Sequence, residues 1–279
     1  MASSVRYQYT PSLAAAVIFI ILFGLSSLSH IFQLIKYRTW YFIPFLLGCL
    51  FETVGYIGRG LSATESPNWT LPPYIIQALL LLLAPALFSA SIYMILGRLI
   101  RLLDGEKFSV IRTKWMTAFF LLGDIASFLG QAMGASKLKD ATTSSERDQA
   151  QWIIIVALLV QIAFFGFFLV VAGIFHRRIM KNPTTRSFSI TQPWRQCLLV
   201  LYCAGIFIMV RSVFRVLEYS MGKDGELQSK EIYLYIFDAT LMIIVSIGFN
   251  IFHPSRTISD QTVDCLPLSS STIQLEVRK

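Results

Sequence analysis

The amino-acid sequence predicts an all-α membrane protein: a seven-transmembrane helix bundle with its N-terminus outside and its C-terminus in the cytosol. Three observations lead there. Only 14% of the residues are charged and 55% are hydrophobic, whereas an ordinary soluble domain is about 25% charged. The apolar residues gather into seven runs, each long enough to cross a bilayer, separated by short polar stretches. Lys and Arg crowd into alternate stretches rather than all of them, the asymmetry that sets the direction of insertion.

In chain order the expected spans are Pro11 to Ile35, Tyr41 to Leu61, Pro73 to Leu96, Trp115 to Ala135, Trp152 to Phe175, Trp194 to Tyr219 and Glu231 to Phe252. At a rise of about 1.5 Å per residue each covers a hydrocarbon core of roughly 30 Å with some tilt. Tyr41, Tyr74, Trp115, Trp152 and Trp194 stand at span starts, where amphipathic rings favour the membrane interface. The first run is too long for the apolar part of a signal peptide, and no small-residue cleavage site follows it.

Orientation comes from the basic residues. One side takes Lys36, Arg38, Arg98, Arg101, Lys107, Arg112, Lys114, Arg177, Arg178, Lys181, Arg186, Arg195, Arg256, Arg278 and Lys279. The other takes Arg6, Lys137, Lys139, Arg147, Lys223 and Lys230. The richer side is cytosolic, which places residues 1–10 outside as an extracellular tail, 11–252 in the membrane domain and 253–279 in the cytosol. The glycosylation sequon Asn68-Trp69-Thr70 falls in an expected outer loop, while Asn182-Pro183-Thr184 is excluded by its proline. Segment 253–279 is rich in Ser and Thr, carries Pro254 and Pro267 and shows no apolar period, so it is expected to be disordered.

Several function classes are excluded. The net charge of +8 belongs to membrane-flanking loops rather than to a basic stripe interleaved with aromatics, so no nucleic-acid partner is expected. Cys49, Cys197 and Cys203 lie in apolar runs and Cys265 in the tail, leaving no outer pair to oxidise. There is no phosphate-binding loop, no His-Glu-x-x-His, no Gly-x-Ser-x-Gly and no zinc-spaced Cys pair. No enzyme activity, catalytic residue, cofactor or metal is therefore expected.

The informative residues are the ionisable groups inside the spans: Glu52, Arg59, Asp124, Arg211, Arg215, Glu218, Glu231 and Asp238. Each costs about 2.5–3.5 kcal/mol at a span centre, so they must pair or meet water. Glu52 and Arg59, Asp124 and Gln131, Arg211 and Glu218, and Glu231 and Asp238 are each seven apart, which keeps each pair on one helix face. Allowing for span direction, Arg59, Gln77, Gln131, Arg215, Glu218 and Glu231 fall in the outer half, with Glu52, Asp124, Arg211 and Asp238 nearer the middle. The polar groups are expected to converge on one outward-opening centre, either a substrate-lined cavity or an ion-pair network that fixes packing. Glu52 and Glu218 have an Arg on their own face; Asp124 and Asp238 do not, and either pair with Arg211 or Arg215 or await a cationic head group. A proton-coupled mechanism would draw on Glu52, Asp124 or Asp238, and the sequence does not select among them.

Other features point to packing. Gly130-x3-Gly134 allows the fourth helix a close neighbour, within the chain rather than in a dimer. Pro85 bends the third span or hinges it. The first and fifth spans carry almost no charge and are expected to face lipid most. Tyr74-Ile75-Ile76-Gln77-Ala78 and Tyr235-Ile236-Phe237-Asp238-Ala239 resemble each other on two spans of the same direction, a hint of a three-plus-one-plus-three repeat.

Together these residues resemble a known family, the fungal seven-span lipid-translocating exporters, whose shared RTA-like domain is named for resistance to aminocholesterol. The matching motifs are Tyr9-x-Pro11; Phe51-Glu52-x2-Gly55-Tyr56-x2-Arg59; Gln77, Pro85, Ala90, Tyr93 and Gly97-Arg98; Asp124-x2-Ser127 with Gln131-x2-Gly134; Gln161; Arg211-x3-Arg215-x2-Glu218-x3-Gly222; and Glu231, Tyr235 and Asp238. The resemblance covers about residues 9 to 252. It implies a fungal protein of the plasma membrane or another secretory-pathway membrane that moves amphipathic lipids, such as sphingoid long-chain bases or amino-sterols, or confers resistance to them. The partners it implies are membrane lipids or amphipathic small molecules; protein partners stay open. The alternative is a seven-transmembrane receptor-like lipid sensor that acts through signalling.

Overall fold

The computed structural model describes residues 9, 11–66, 69–189, 193–221, 227 and 230–258. Asn68, Gly222, Cys265 and nearly all of segments 1–10 and 259–279 lie outside the described residues. Among those described, all regular structure is helical, and seven helices are long and apolar enough to cross a membrane. The chain is a multi-pass membrane protein.

The first helix, Leu13–Tyr37, starts where the Ser12 hydroxyl accepts the Ala15 amide at 3.3 Å and stops at Arg38, which adopts a left-handed φ of 54°. A 3-10 turn, Trp40–Phe42, leads into the second helix, Ile43–Thr64, whose first turn holds Pro44. The third, Leu71–Leu102, likewise opens on prolines, which lose no hydrogen bond there. The fourth is Thr113–Asp140, the fifth Ser144–Lys181 and the sixth Trp194–Ser220. The seventh begins as α-helix over Glu231–Leu234, widens into a π-helical segment over Tyr235–Thr240 and returns to α-helix over Leu241–Ile251.

Each helix packs on its neighbour in sequence, the seventh closes back on the first, and the third also meets the sixth. The third helix is accordingly the most buried, at 61% of its apolar window, and the first the least, at 28%. Leu25, Leu28 and Phe32 point away from the first helix into lipid. The fifth does not match this pattern: at 39% it is more buried than the fourth at 33%, because Ile154 and Gln161 pack on the fourth helix and Phe165 and Phe168 on Tyr93 of the third.

Glycines set the closest approaches. A Cβ at Gly134 would fall 2.5 Å from Ile154 Cγ1, so the Gly130/Gly134 face lies against the fifth helix of the same chain. A Cβ at Gly58 would lie 3.0 Å from the Pro73 carbonyl, which lets the second helix lie against the third.

Two expectations need correction. The third and fifth helices extend well past the hydrocarbon-length spans. The fifth starts at a capping box in which Thr143 and Glu146 satisfy each other's amides, and its 38 residues reach roughly 57 Å. The expected disordered tail does not begin at 253: Pro254–Arg256 form a 3-10 turn, Ile258 is fully buried, and the Tyr41 hydroxyl donates to the Ile258 carbonyl at 3.0 Å. An apolar isoleucine and a tyrosine donor anchor the segment that composition alone read as loose.

Candidate functional site

The end of the bundle where the odd-numbered helices begin is called the upper end below. The ten residues singled out by sequence do not converge on one centre there. They fall into a charged core among the second, sixth and seventh helices, an upper clasp, two positions across the third helix, and Gln77 between the second and third.

In the charged core the Arg211 guanidinium bonds both Asp238 oxygens, through Nε at 2.5 Å and Nη2 at 3.3 Å. Its Nη2 also donates to the Leu81 carbonyl of the third helix at 2.8 Å. The reason lies in the sequence: the Leu81 carbonyl would take its helical bond from the amide of residue 85, and Pro85 has none. Pro85 thus supplies a buried acceptor, and Arg211 ties three helices together by answering it. Arg215 pairs with Glu218 three residues on at 2.8 Å, one turn above, close enough for Asp238 to feel both charges. Glu52 completes the group from the second helix. It is fully buried, its charged neighbours are Asp238 and Arg211, and neither of its oxygens has a hydrogen-bond partner among the described residues. Asp238 sits within the π-helical segment, a local widening that often marks functional positions in membrane and soluble helices alike.

The upper clasp centres on Arg59, which is fully buried. It donates to Glu231 at 2.7 Å, to the Tyr235 hydroxyl at 3.0 Å and to the Tyr9 hydroxyl at 2.9 Å. Glu231 in turn accepts the Ser12 amide at 2.9 Å. One guanidinium therefore joins the start of the first helix, the end of the second and the start of the seventh. The guanidinium carbon also lies 5.2 Å from the Tyr235 ring centre and 5.6 Å from that of Tyr9, adding cation–π attraction in a dry setting.

Asp124 and Gln131 lie elsewhere. Asp124 accepts from the Tyr93 hydroxyl at 3.0 Å, and its other oxygen has no partner among the described residues. No basic side chain pairs with it among those residues, so the expected alternative of an Arg partner applies to Asp238 and not to Asp124. Gln131 bonds Ser127 at 2.8 Å and Gln161 at 3.1 Å, a polar seam between the fourth and fifth helices. Beside it a groove of ≈ 430 Å³ opens toward lipid, lined by Ala126, Ser127, Gly130, Trp152, Val156 and Val160 among others. Gln77 is buried where Gly58 brings the second and third helices together.

One buried cluster escaped the sequence reading. Ser26, His30 and Gln33 of the first helix, set at i, i+4, i+7, face Ser246 and Asn250 of the seventh and His253 just past its end. Ser26 and Ser246 share a 2.6 Å hydroxyl contact, Asn250 donates to Ser26 at 2.6 Å, and the Cys49 thiol lies 3.1 Å from Ser246. The signal was readable, since an ionisable histidine inside an apolar span, with polar residues one turn to either side, is as rare there as a charged residue. Among the described residues no group of three or more His, Cys, Asp or Glu is placed to hold a metal.

Comparison with known proteins agrees with this architecture. No solved structure matches. "Protein RTA1" of Saccharomyces cerevisiae is 33% identical over 273 residues, spanning 89% of this chain and 84% of the relative. "Protoporphyrin uptake protein 1" of the same species is 33% identical over 304 residues, spanning 95% of this chain and 97% of its own. "Sphingoid long-chain base transporter RSB1", also of S. cerevisiae, is 26% identical over 277 residues, with 88% and 72% covered. The family model described as "RTA1 like protein" matches residues 45–261, which takes in Glu52, Arg59, Asp124, Arg211 and Asp238. The chain belongs to the RTA1-like family.

Proposed function

We propose that this protein is a translocator that moves amphipathic lipids across the membrane and so confers resistance to them, sphingoid long-chain bases and amino-sterols being the substrate class, and that it carries out no chemical conversion. The observation that carries this is Asp124: a buried carboxylate without a basic partner among the described residues, one helical turn from Ser127 at the edge of the lipid-facing groove. An ammonium head group would supply the charge that Asp124 lacks, while its chain lies along Ala126, Gly130, Val156 and Val160. Asp238, the other aspartate expected to wait for a cation, is answered by Arg211 and drops from this role. The names of the relatives, which include a sphingoid long-chain base transporter, support the same class.

The test is Asp124→Asn, near-isosteric and neutral. A charge-assisted hydrogen bond is worth about 1.5–3 kcal/mol, so binding of a sphingoid base is expected to weaken roughly ten- to hundredfold. A neutral lipid analogue should be handled as before. Equal loss for both lipids, or none for either, would remove Asp124 from the site.

The proposed orientation has the upper end outside, the C-terminus cytosolic, and the plasma membrane or another secretory-pathway membrane as the host, supported by the bias of Lys and Arg toward the opposite end. Tags appended at Met1 and at Lys279 should then react from opposite sides of intact cells, the first from outside. A tag at Met1 reachable only after permeabilisation would overturn it.

A further inference from the structure

Among the described residues every carboxylate inside the bundle except one has at least one hydrogen-bond donor, although Asp124 keeps one oxygen without a partner. Asp238 has Arg211, Glu231 has Arg59 and the Ser12 amide, Glu218 has Arg215, and Asp124 has Tyr93. Glu52 is the exception: 0% exposed, with neither oxygen hydrogen-bonded among the described residues. From the geometry we infer that Glu52 is a proton-binding site in the middle of the membrane, reached through the polar seam of the first, second and seventh helices, and that lipid movement is coupled to the proton it carries. The coupling half of this rests on reading the chain as a translocator; the proton site does not.

The surroundings of Glu52 make the case. The charged groups facing it are Asp238 of the seventh helix and Arg211 of the sixth. Its own helix adds Cys49 below and Tyr56 above. The first helix presents Phe19 and Phe23, which stack on Tyr56, and the third presents Leu81 and Phe88 to the same face of the second. An ionised carboxylate there would be fully buried with no donor among the described residues, whereas the neutral acid can be buried at far smaller cost. One guanidinium serves two carboxylates, and it is already committed to Asp238 and the Leu81 carbonyl.

That sharing supplies the coupling. When Glu52 gives up its proton, Arg211 must divide itself between Glu52 and Asp238, which disturbs the bond that holds the sixth helix to the seventh and to the Pro85 break in the third. The π-helical segment around Asp238 allows such a change with little loss, because reverting one turn to α-geometry shifts Asp238 without unwinding the helix. Two arrangements of the same contacts, biased by a proton, form the two-state element that coupling needs.

A route to Glu52 is also present. Above it lie the Tyr56 hydroxyl, which has no partner among the described residues, and the Arg59–Tyr235–Glu231 clasp. Below it the Cys49 thiol touches Ser246, Ser246 touches Ser26, and His30 and His253 continue the line with ring centres 6.4 Å apart. His30 Nδ1 and His253 Nε2 are both buried without partners among the described residues. A seam that only glued helices would leave few such atoms unanswered. The step itself is a plain proton transfer: an O–H bond forms on Glu52 as one breaks on hydronium from the upper side, leaving water, and release to the lower side reverses it. No electrons move.

The test uses the full chain in liposomes with a quaternary-ammonium analogue of a sphingoid base, whose head group cannot carry a proton itself. Infrared difference spectra in H2O and D2O are expected to show the carbonyl band of a buried carboxylic acid that is missing from Glu52→Gln and kept by Glu52→Asp. A pH gradient of either sign should speed movement in one direction and slow it in the other in wild type, with this response cut at least tenfold in Glu52→Gln at an unchanged thermal midpoint. The same acid band in Glu52→Gln, or an undiminished gradient response, overturns the proton site. Wild-type movement indifferent to the gradient overturns the coupling and leaves the translocator reading intact. Absence of analogue movement under every gradient overturns the coupling together with the translocator reading, and the infrared band then judges the proton site alone.

Discussion

Arg211→Met is expected to lower the yield of folded protein more than any lipid-facing change, such as Leu25→Ala on the first helix. The substitution keeps an unbranched apolar stem but strands two buried groups at once, the Asp238 carboxylate and the Leu81 carbonyl that Pro85 leaves without an amide. Removing one partner of a buried ion pair costs about 3–5 kcal/mol, and an orphaned carbonyl adds about 1–3 kcal/mol. Size-exclusion profiles and thermal midpoints in detergent measure the loss. Two second-site changes sharpen the test. Asp238→Leu should restore most of the stability by removing the uncompensated charge, and Pro85→Ala a further, smaller part by returning the amide that Leu81 needs. If Pro85→Ala does nothing in the Arg211→Met background, the Arg211–Leu81 bond is not holding the third helix.

Arg59→Met is expected to have the next largest effect, and a more local one. It removes the donors that hold Tyr9, Tyr235 and Glu231. Glu231 retains some exposure to water, so the loss falls below that at Arg211, about 2–3 kcal/mol when screened in this way. The first helix should loosen from its start: hydrogen exchange at the Ser12 and Ala15 amides is expected to accelerate, while amides of the fourth and fifth helices exchange as before. Uniform acceleration throughout the bundle would contradict a clasp confined to the first, second and seventh helices.

These two residues also show what the sequence made legible. Long apolar runs were enough to find seven spans, because an uninterrupted apolar run of bilayer length satisfies its own backbone in the membrane only as a helix. Their ends were not legible: past the hydrocarbon the third and fifth helices continue on polar residues such as Arg98, Arg101 and Glu146, where apolar length carries no information. The i, i+7 spacing places the charges on one helix face, but it does not say which residue of another helix each one meets. Two turns separate such residues by about 10.5 Å, beyond direct contact, so Arg59 reaches across to Glu231 and Arg211 to Asp238, and Glu218 finds Arg215 at i−3 instead.

The remaining misses depend on contacts between helices that no single helix announces. Pro85 read as a bend or a hinge because its consequence, a free carbonyl at Leu81, becomes useful only when the sixth helix brings Arg211 to it. The π-helical segment depends on the same packing. Tyr9 and Tyr235 were named through the family resemblance without a role, which their hydrogen bonds to Arg59 now give them. The Ser26–His30–Gln33 face of the first helix and Ser246, Asn250 and His253 at the end of the seventh span are legible in the sequence as polar residues in apolar runs, but they carry no formal charge that would mark them.

The central claim is that the chain moves a cationic amphipathic lipid between leaflets, and its most direct test is to place the purified protein alone in liposomes and follow a labelled sphingoid base from one leaflet to the other. The account predicts that wild-type protein speeds this movement saturably and that Asp124→Asn loses most of the acceleration while a neutral analogue moves as in wild type. Saturable binding of the base with no movement above that of protein-free liposomes would contradict it, and would mark the protein as a receptor-like lipid sensor.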